Sequence, residues 1–155
     1  MKKRHFAYFA LSLAVFILDQ YTKHLVRRAL PPFETIHVMS VLNLVHVENV
    51  GSAFGLFKSL GNFFFVAVAS FASLAVAFLI VKDSDNRTAF SLILGGAVGN
   101  LADRMKYGHV VDFLDLHLGN HHWPAFNIAD AALTAGILLV FVQLVIQMFR
   151  SRRHE

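Results

Sequence analysis

Four apolar blocks alternate along the chain with stretches broken by charge, proline, glycine or alternating β-branched residues. A helix that crosses the hydrocarbon core needs about 20 mostly apolar residues. On that measure the blocks at 6–26, 63–81, 88–102 and 128–149 predict four transmembrane helices. The second carries no charge. The third is short, contains Gly95, Gly96 and Gly99, and closes on Asn100, Asp103 and Arg104. The first follows Lys2, Lys3 and Arg4 as a secretory leader would. Its apolar run is longer than a leader's, and no A-x-A site follows before Arg27 and Arg28, so it is read as a retained span.

The stretches between the helices have a different rhythm. Residues 35–49 hold Thr35, Ile36, Val38, Val41, Val45 and Val47, a pattern for two or more short strands. Pro31 and Pro32 end the first helix. Residues 109–116 are again strand-like, and Gly119-Asn120 reads as a turn. There is no internal repeat, linker or low-complexity tract. The expected architecture is one domain over 1–155, an all-α membrane protein with a small β-structured segment outside the membrane.

Composition supports this. Of 155 residues, 56% are hydrophobic and 15% charged, so the chain cannot be disordered and lacks the polar surface of a soluble domain. The absence of cysteine excludes disulfides, zinc–thiolate sites and a thiol nucleophile. The net charge of +4 gathers at the ends of apolar runs, which fits the positive-inside pattern better than a nucleic-acid surface. Four spans with both termini cytoplasmic put eight of the fourteen Lys and Arg inside, a modest bias. Trp123, with Pro124 and Phe126, suits an interfacial anchor.

Charged residues inside a span cost about 2.5–3.5 kcal/mol each at the helix centre, so those present need a reason. Asp19 and Lys23 stand at i, i+4 and can pair on one helix face. An ion pair that orders the helix end is the simpler reading, ahead of direct chemistry. Asp19 lies about 20 Å along the first helix from Phe6, in the outer third of the core. Asn100 and Asp103 share a helix face, and Arg104 beside Asp103 suits a carboxylate that stays ionised. Asp112 sits in an apolar stretch with no adjacent base, where burial raises a carboxyl pKa. Asp115, three residues on, points to the opposite face of a strand. Asn127 and Asp130 have capping-box spacing at the start of the fourth helix. A cap accounts for Asp130 by itself; company with Asp112 suggests a dyad. His117, His121 and His122 invite a metal, but the H-x₃-H spacing needs a helix that Gly119 and Asn120 disfavour, and the run holds no acidic partner. No serine-hydrolase or zincin motif is present.

Five stretches together carry a family likeness. They are 19–23 (DQYTK), 48–54 (ENVGSAF), 95–104 (GGAVGNLADR), 108–113 (GHVVDF) and 126–130 (FNIAD). In this order, on a chain of this size, the sequence resembles the lipoprotein signal peptidases (signal peptidase II), membrane aspartyl proteases of bacteria. The resemblance implies catalytic Asp112 and Asp130. It places Asp19, Lys23, Asn49, Gly51, Asn100, Asp103, Arg104 and Asn127 around them as binding or supporting residues. It implies an intramembrane endopeptidase that frees the signal peptide of a diacylglyceryl-modified prolipoprotein, cutting just before the lipidated cysteine. The implied enzyme uses no metal or cofactor, sits in the bacterial inner membrane among lipids, binds globomycin-type inhibitors and does not bind nucleic acid. A small transporter or proton relay using Asp19, Asp112 and Asp130 is the alternative. A structural subunit would need no paired carboxylates.

Overall fold

The computed structural model describes residues 2–51, 61–83 and 85–151. The element order is α1 (Lys2–Ala29), β1 (Thr35–Met39), β2 (Leu42–Asn49), α2 (Gly61–Lys82), α3 (Arg87–Tyr107), β3 (Val110–Leu118), β4 (His121–His122) and α4 (Ile128–Ser151). Four long helices and two strand-bearing segments therefore occur where the apolar pattern put them. Ser52, Ala53 and Phe54 of the second motif stretch lie outside the described residues.

One expectation is met in part and one needs correction. Among the described residues, α2 and α4 are long and apolar enough to count as membrane spans on length and composition, against the four expected. The reason is chemical: α1 carries Asp19 and Lys23, and α3 carries Asn100, Asp103 and Arg104, which dilute their apolar character. The third helix also does not stop at residue 102. It runs to Tyr107, and Gly108 closes it in the left-handed conformation (φ 78°) with its N–H on the Arg104 carbonyl. Asn100, Asp103 and Arg104 are thus helical residues whose faces are fixed.

α3 is the central helix, packed by α1, α2 and α4; α1 and α4 also touch, while α2 leans almost wholly on α3. Glycines set these distances. A Cβ on Gly95 would lie 2.6 Å from the Ser12 carbonyl oxygen of α1, and one on Gly96 would strike the Ala129 carbonyl of α4. On α4, a Cβ at Gly136 would lie 2.7 Å from the Ala89 carbonyl of α3. Small residues let the backbones approach closely, which is how helices associate where apolar burial gives no net drive.

The usual distribution of residues is inverted. Phe63, Phe71 and Leu74 are more than 70% exposed, whereas Asp19, Lys23, Asp103 and Asn127 are 0% exposed. Apolar side chains face outward and charge is held between helices, as a lipid surround demands.

The sheet is antiparallel, in the order β1-β2-β3-β4. β2 pairs Asn43 with Asp115, and Asn49 with Val110. Between these, Leu44 and Val47 oppose Leu114 and Asp112, so β2 has one residue more than β3 there. Side chains alternate with period two, so this bulge switches the face that later β2 residues present. Asn43 and Asn49, six apart, would otherwise share a face. With the bulge, each follows its own aspartate on β3: Asn43 meets Asp115 and Asn49 meets Asp112, which lie on opposite faces. A buried hydrogen bond of 2.7 Å between His46 Nδ1 and the Leu30 carbonyl ties the sheet to the end of α1.

Candidate active site

Lys23 is the first node. Its ammonium has three N–H donors, and three acceptors meet them: Asp19 Oδ2 at 2.9 Å, Asp103 Oδ2 at 3.0 Å and Asn100 Oδ1 at 2.9 Å. Asp19 turns its other oxygen to the backbone N–H of Ala129, at 2.9 Å, and so satisfies a donor that the first turn of α4 leaves without a helical partner. One carboxylate thereby joins α1 to the start of α4. Gln20 extends the node through its amide nitrogen, which lies 3.1–3.2 Å from Asp19 Oδ2, the Gly99 carbonyl and Asp103 Oδ1. The sequence reading gave Gln20 no role. Its signal was a second polar residue beside Asp19 inside an apolar helix.

The cation orients the next residue. Lys23 can only donate, so Asn100 must present its oxygen to it and turn its amide nitrogen elsewhere. That nitrogen donates to Asp130 Oδ1 at 2.8 Å. Asn127 is oriented in the same way. Its side-chain oxygen accepts from the Asp130 backbone N–H at 2.9 Å, and its own backbone N–H donates to Asp130 Oδ2 at 3.3 Å. This is the expected capping box. Its side-chain nitrogen donates to Asp112 Oδ1 at 2.7 Å, with Asn100 Oδ1 and the Val111 carbonyl at 3.2 and 3.3 Å. Asn49 donates to the other Asp112 oxygen at 2.9 Å.

Asp112 and Asp130 therefore share Asn127, with Asn49 completing the hold on Asp112 and Asn100 that on Asp130, and Lys23 reaches Asp130 through Asn100. Burial pushes the Asp112 carboxyl up to about 7, from the usual 3.8; the Asn49 hydrogen bond opposes this and the Asp130 charge adds to it. An Asp112 carboxyl that keeps its proton near neutrality can donate a hydrogen bond as well as accept one.

Of the other expected residues, Asp103 belongs to the node by way of Lys23, with Arg27 Nη1 at 3.6 Å. This corrects the expected Asp103–Arg104 partnership: neighbours on a helix point about 100° apart, and the Arg104 guanidinium feels the charges of Asp112 and Asp130 ahead of that of Asp103. Arg104 lies over the Phe65 ring at 5.1 Å, while its carbonyl accepts from Asn62 of α2. Gly51 has φ 114°, donates its N–H to Asn49 Oδ1 at 3.0 Å, and would drive a Cβ into the Phe65 ring. It fixes the Asn49 amide from behind.

A cavity of about 490 Å³ reaches Asp130 from the side. Leu116, Trp123 and Phe126 form one wall, and Ala131, Thr134, Ala135 and Leu138 of α4 form the other. Among the described residues, no three His, Cys, Asp or Glu converge as metal ligands. Asp115 stands apart from the dyad. Its burial would raise its pKa, but hydrogen bonds with Asn43 and His122 and the nearby imidazoles hold it below the usual value.

The signal peptidase II family model matches residues 11–146. The chain belongs to the signal peptidase II family. It is 47% identical over 125 residues to the lipoprotein signal peptidase of Thermodesulfovibrio yellowstonii, covering 81% of this chain and 85% of that one. It is 42% identical over 151 residues to the lipoprotein signal peptidase of Cupriavidus necator, covering 94% and 85%. Two solved bacterial membrane enzymes share the fold. One has a TM-score of 0.83 at 30% identity, over 92% of this chain and 89% of that one; the other has 0.80 at 31%, over 89% and 92%. Membership in the signal peptidase II family makes this chain a membrane protease of lipoprotein processing.

Proposed function

We propose that this signal peptidase II family member is an aspartic endopeptidase with Asp112 and Asp130 as its catalytic pair. Its substrate is a diacylglyceryl-modified prolipoprotein, cut just before the lipidated cysteine. The observation that carries this reading is that one residue, Asn127, holds both the buried Asp112 and the half-buried Asp130, and that among the described residues no cation contacts either carboxylate. Two such groups cannot both ionise cheaply and hold one proton between them. The ionised member takes a proton from a water, which attacks the scissile carbonyl. The protonated member donates to the carbonyl oxygen as charge develops there. The tetrahedral intermediate then collapses as the leaving nitrogen takes up a proton. The dyad titrates as a unit, so neither role is fixed to one residue at rest.

The surroundings suit this substrate. An apolar cavity that ends on Asp130 between α4 and the β3–β4 hairpin matches a signal segment or acyl chains arriving from the bilayer. Asp19, Lys23, Asn49, Gly51, Asn100, Asp103, Arg104 and Asn127 support the dyad in this reading, and globomycin-type inhibitors would occupy the same site. All four helices cross the bacterial inner membrane, with both termini cytoplasmic and the dyad near the outer face. The outward apolar surface of α1, the inward charge of α1 and α3, and the packing of α3 among the other three helices support spans that composition alone does not reveal.

The test is cleavage of a diacylglyceryl-prolipoprotein in proteoliposomes. Wild-type protein should release the signal peptide, and Asp112→Asn and Asp130→Asn should not. A substrate lacking the lipid should remain uncut. Retained cleavage in either variant would remove that residue from the dyad.

A further inference from the structure

β3 and β4 place His117 directly opposite His122 in an antiparallel pair. The rings stack with centroids 5.1 Å apart and planes 21° from parallel. The H-x₃-H spacing of His117 and His121 suggested a helical pair; the strand register unites His117 and His122 instead. It also supplies the acidic neighbour that the run 117–122 lacks, since Asp115 lies on the same β3 face as His117.

The hydrogen bonds settle which ring nitrogen is free. His122 Nδ1 lies 2.9 Å from both Asp115 oxygens, a position in which one N–H donates to the two together. A carboxylate only accepts, so the proton is on His122 Nδ1. His117 Nδ1 lies 3.3 Å from the Gly119 carbonyl, which also only accepts. With Nδ1 engaged in both rings, Nε2 is the nitrogen left for a further partner. His117 Nε2 is buried and has no hydrogen-bond partner among the described residues.

A metal-bound histidine characteristically gives its other N–H to a carboxylate or a backbone carbonyl, which sets the tautomer and raises ligand basicity. This pair shows one of each. We infer that His117 and His122 form a two-histidine site for a borderline divalent transition-metal ion, through their Nε2 atoms. Imidazole nitrogen suits Zn²⁺, Ni²⁺ and Cu²⁺. Bonds of about 2.1 Å put two tetrahedral ligand nitrogens roughly 3.4 Å apart, with the ion in the plane of each ring, so one ring must turn out of the stack to share an ion with the other. His122 is half exposed and free to do so. Water fills the remaining positions. The site opens into a cavity of about 450 Å³ that Trp123 also lines, on the far side of the hairpin wall from Asp130. It lies outside the proposed dyad and does not depend on the catalytic reading. Its consequence is mechanical: an ion there clips the two-residue strand β4 to β3.

The test uses full-length, tag-free protein in detergent micelles, titrated with Zn²⁺ against a chromogenic chelator. One equivalent should bind. His117→Ala and His122→Ala should each weaken binding at least tenfold, and His24→Ala, at an exposed position on α1, should not. Asp115→Asn removes no ligand but should weaken binding about 10–100-fold by releasing the His122 ring. Backbone hydrogen exchange at residues 117–123 should slow when Zn²⁺ is added. A second arm needs no variant: protons compete with the ion for the ligand lone pairs, so affinity should fall as the solution is acidified. Affinity unchanged in the His117→Ala/His122→Ala double variant, or independent of pH between 5 and 8, would overturn the proposal.

Discussion

Asn127 donates its side-chain amide to Asp112 at 2.7 Å and uses its side-chain oxygen and backbone N–H to close a capping box with Asp130. One residue thus begins a helix and spaces two carboxylates. The two explanations that the sequence offered for Asp130, cap or chemistry, are not alternatives here. The cap fixes the position of the carboxylate.

Asn127→Ala separates these roles by size of effect. Loss of the cap should cost about 1 kcal/mol of stability. Loss of the donor to Asp112 should lower the rate of signal-peptide release more than that figure accounts for. Thermal unfolding and turnover measured on the same preparation test this, and unchanged values of both would count against the assignment.

Lys23→Met should be among the most disruptive single changes. It leaves Asp19 and Asp103 buried without their cation, and breaking a buried pair in this way costs about 3–5 kcal/mol. It also frees the Asn100 amide to flip, so any folded fraction should be slow. Activity per folded molecule and thermal midpoint should fall together.

The pH profile follows from Asp112. Its folded-state pKa is about 7 against the usual 3.8, so the folded protein holds a proton that the unfolded chain has already lost. This group's contribution to stability is complete below about 4 and is lost as pH rises through about 7. Activity should fall over the same alkaline limb, because a dyad with both members ionised has no proton for the carbonyl. A kcat/KM profile in micelles that is flat from pH 6 to 9 would contradict this.

Sidedness is open to labelling because the chain has no cysteine. A single cysteine replacing the exposed His121 of β4 should react with a membrane-impermeant thiol reagent added outside intact cells. One replacing Asp85, between α2 and α3, should react only after permeabilisation. The reverse pattern would place the dyad on the wrong side for a substrate anchored in the outer leaflet.

Much of this site was legible because lipid makes polar residues conspicuous. Asp19, Lys23, Asn100, Asp103 and Asp130 stand out within apolar helices, and the 3.6-residue period gives their faces. Residues 35–49 announced strands by their β-branched content. What could not be read depends on pairing across the chain. The partner of Asp103 was misjudged because Arg104 is adjacent in sequence while Lys23, eighty residues away, is adjacent in space. The β2 bulge leaves no mark in composition, yet it decides which asparagine meets which aspartate. Asp115 looked isolated until the sheet register brought Asn43 and His122 to it.

The four-residue spacing of Asp19 and Lys23 also bears on how the protein enters the membrane. Their 2.9 Å contact lies within a single helix, so it can form before any other part of the chain arrives. α1 can cross the translocation machinery as a segment in which Asp19 and Lys23 already neutralise each other. Asn100 and Asp103 join only when α3 is threaded, and Ala129 only with α4. The Asp112–Asp130 pair is thus the last part of the network to be assembled, and on the proposed catalytic assignment the protease stays inert until its final helix is in place.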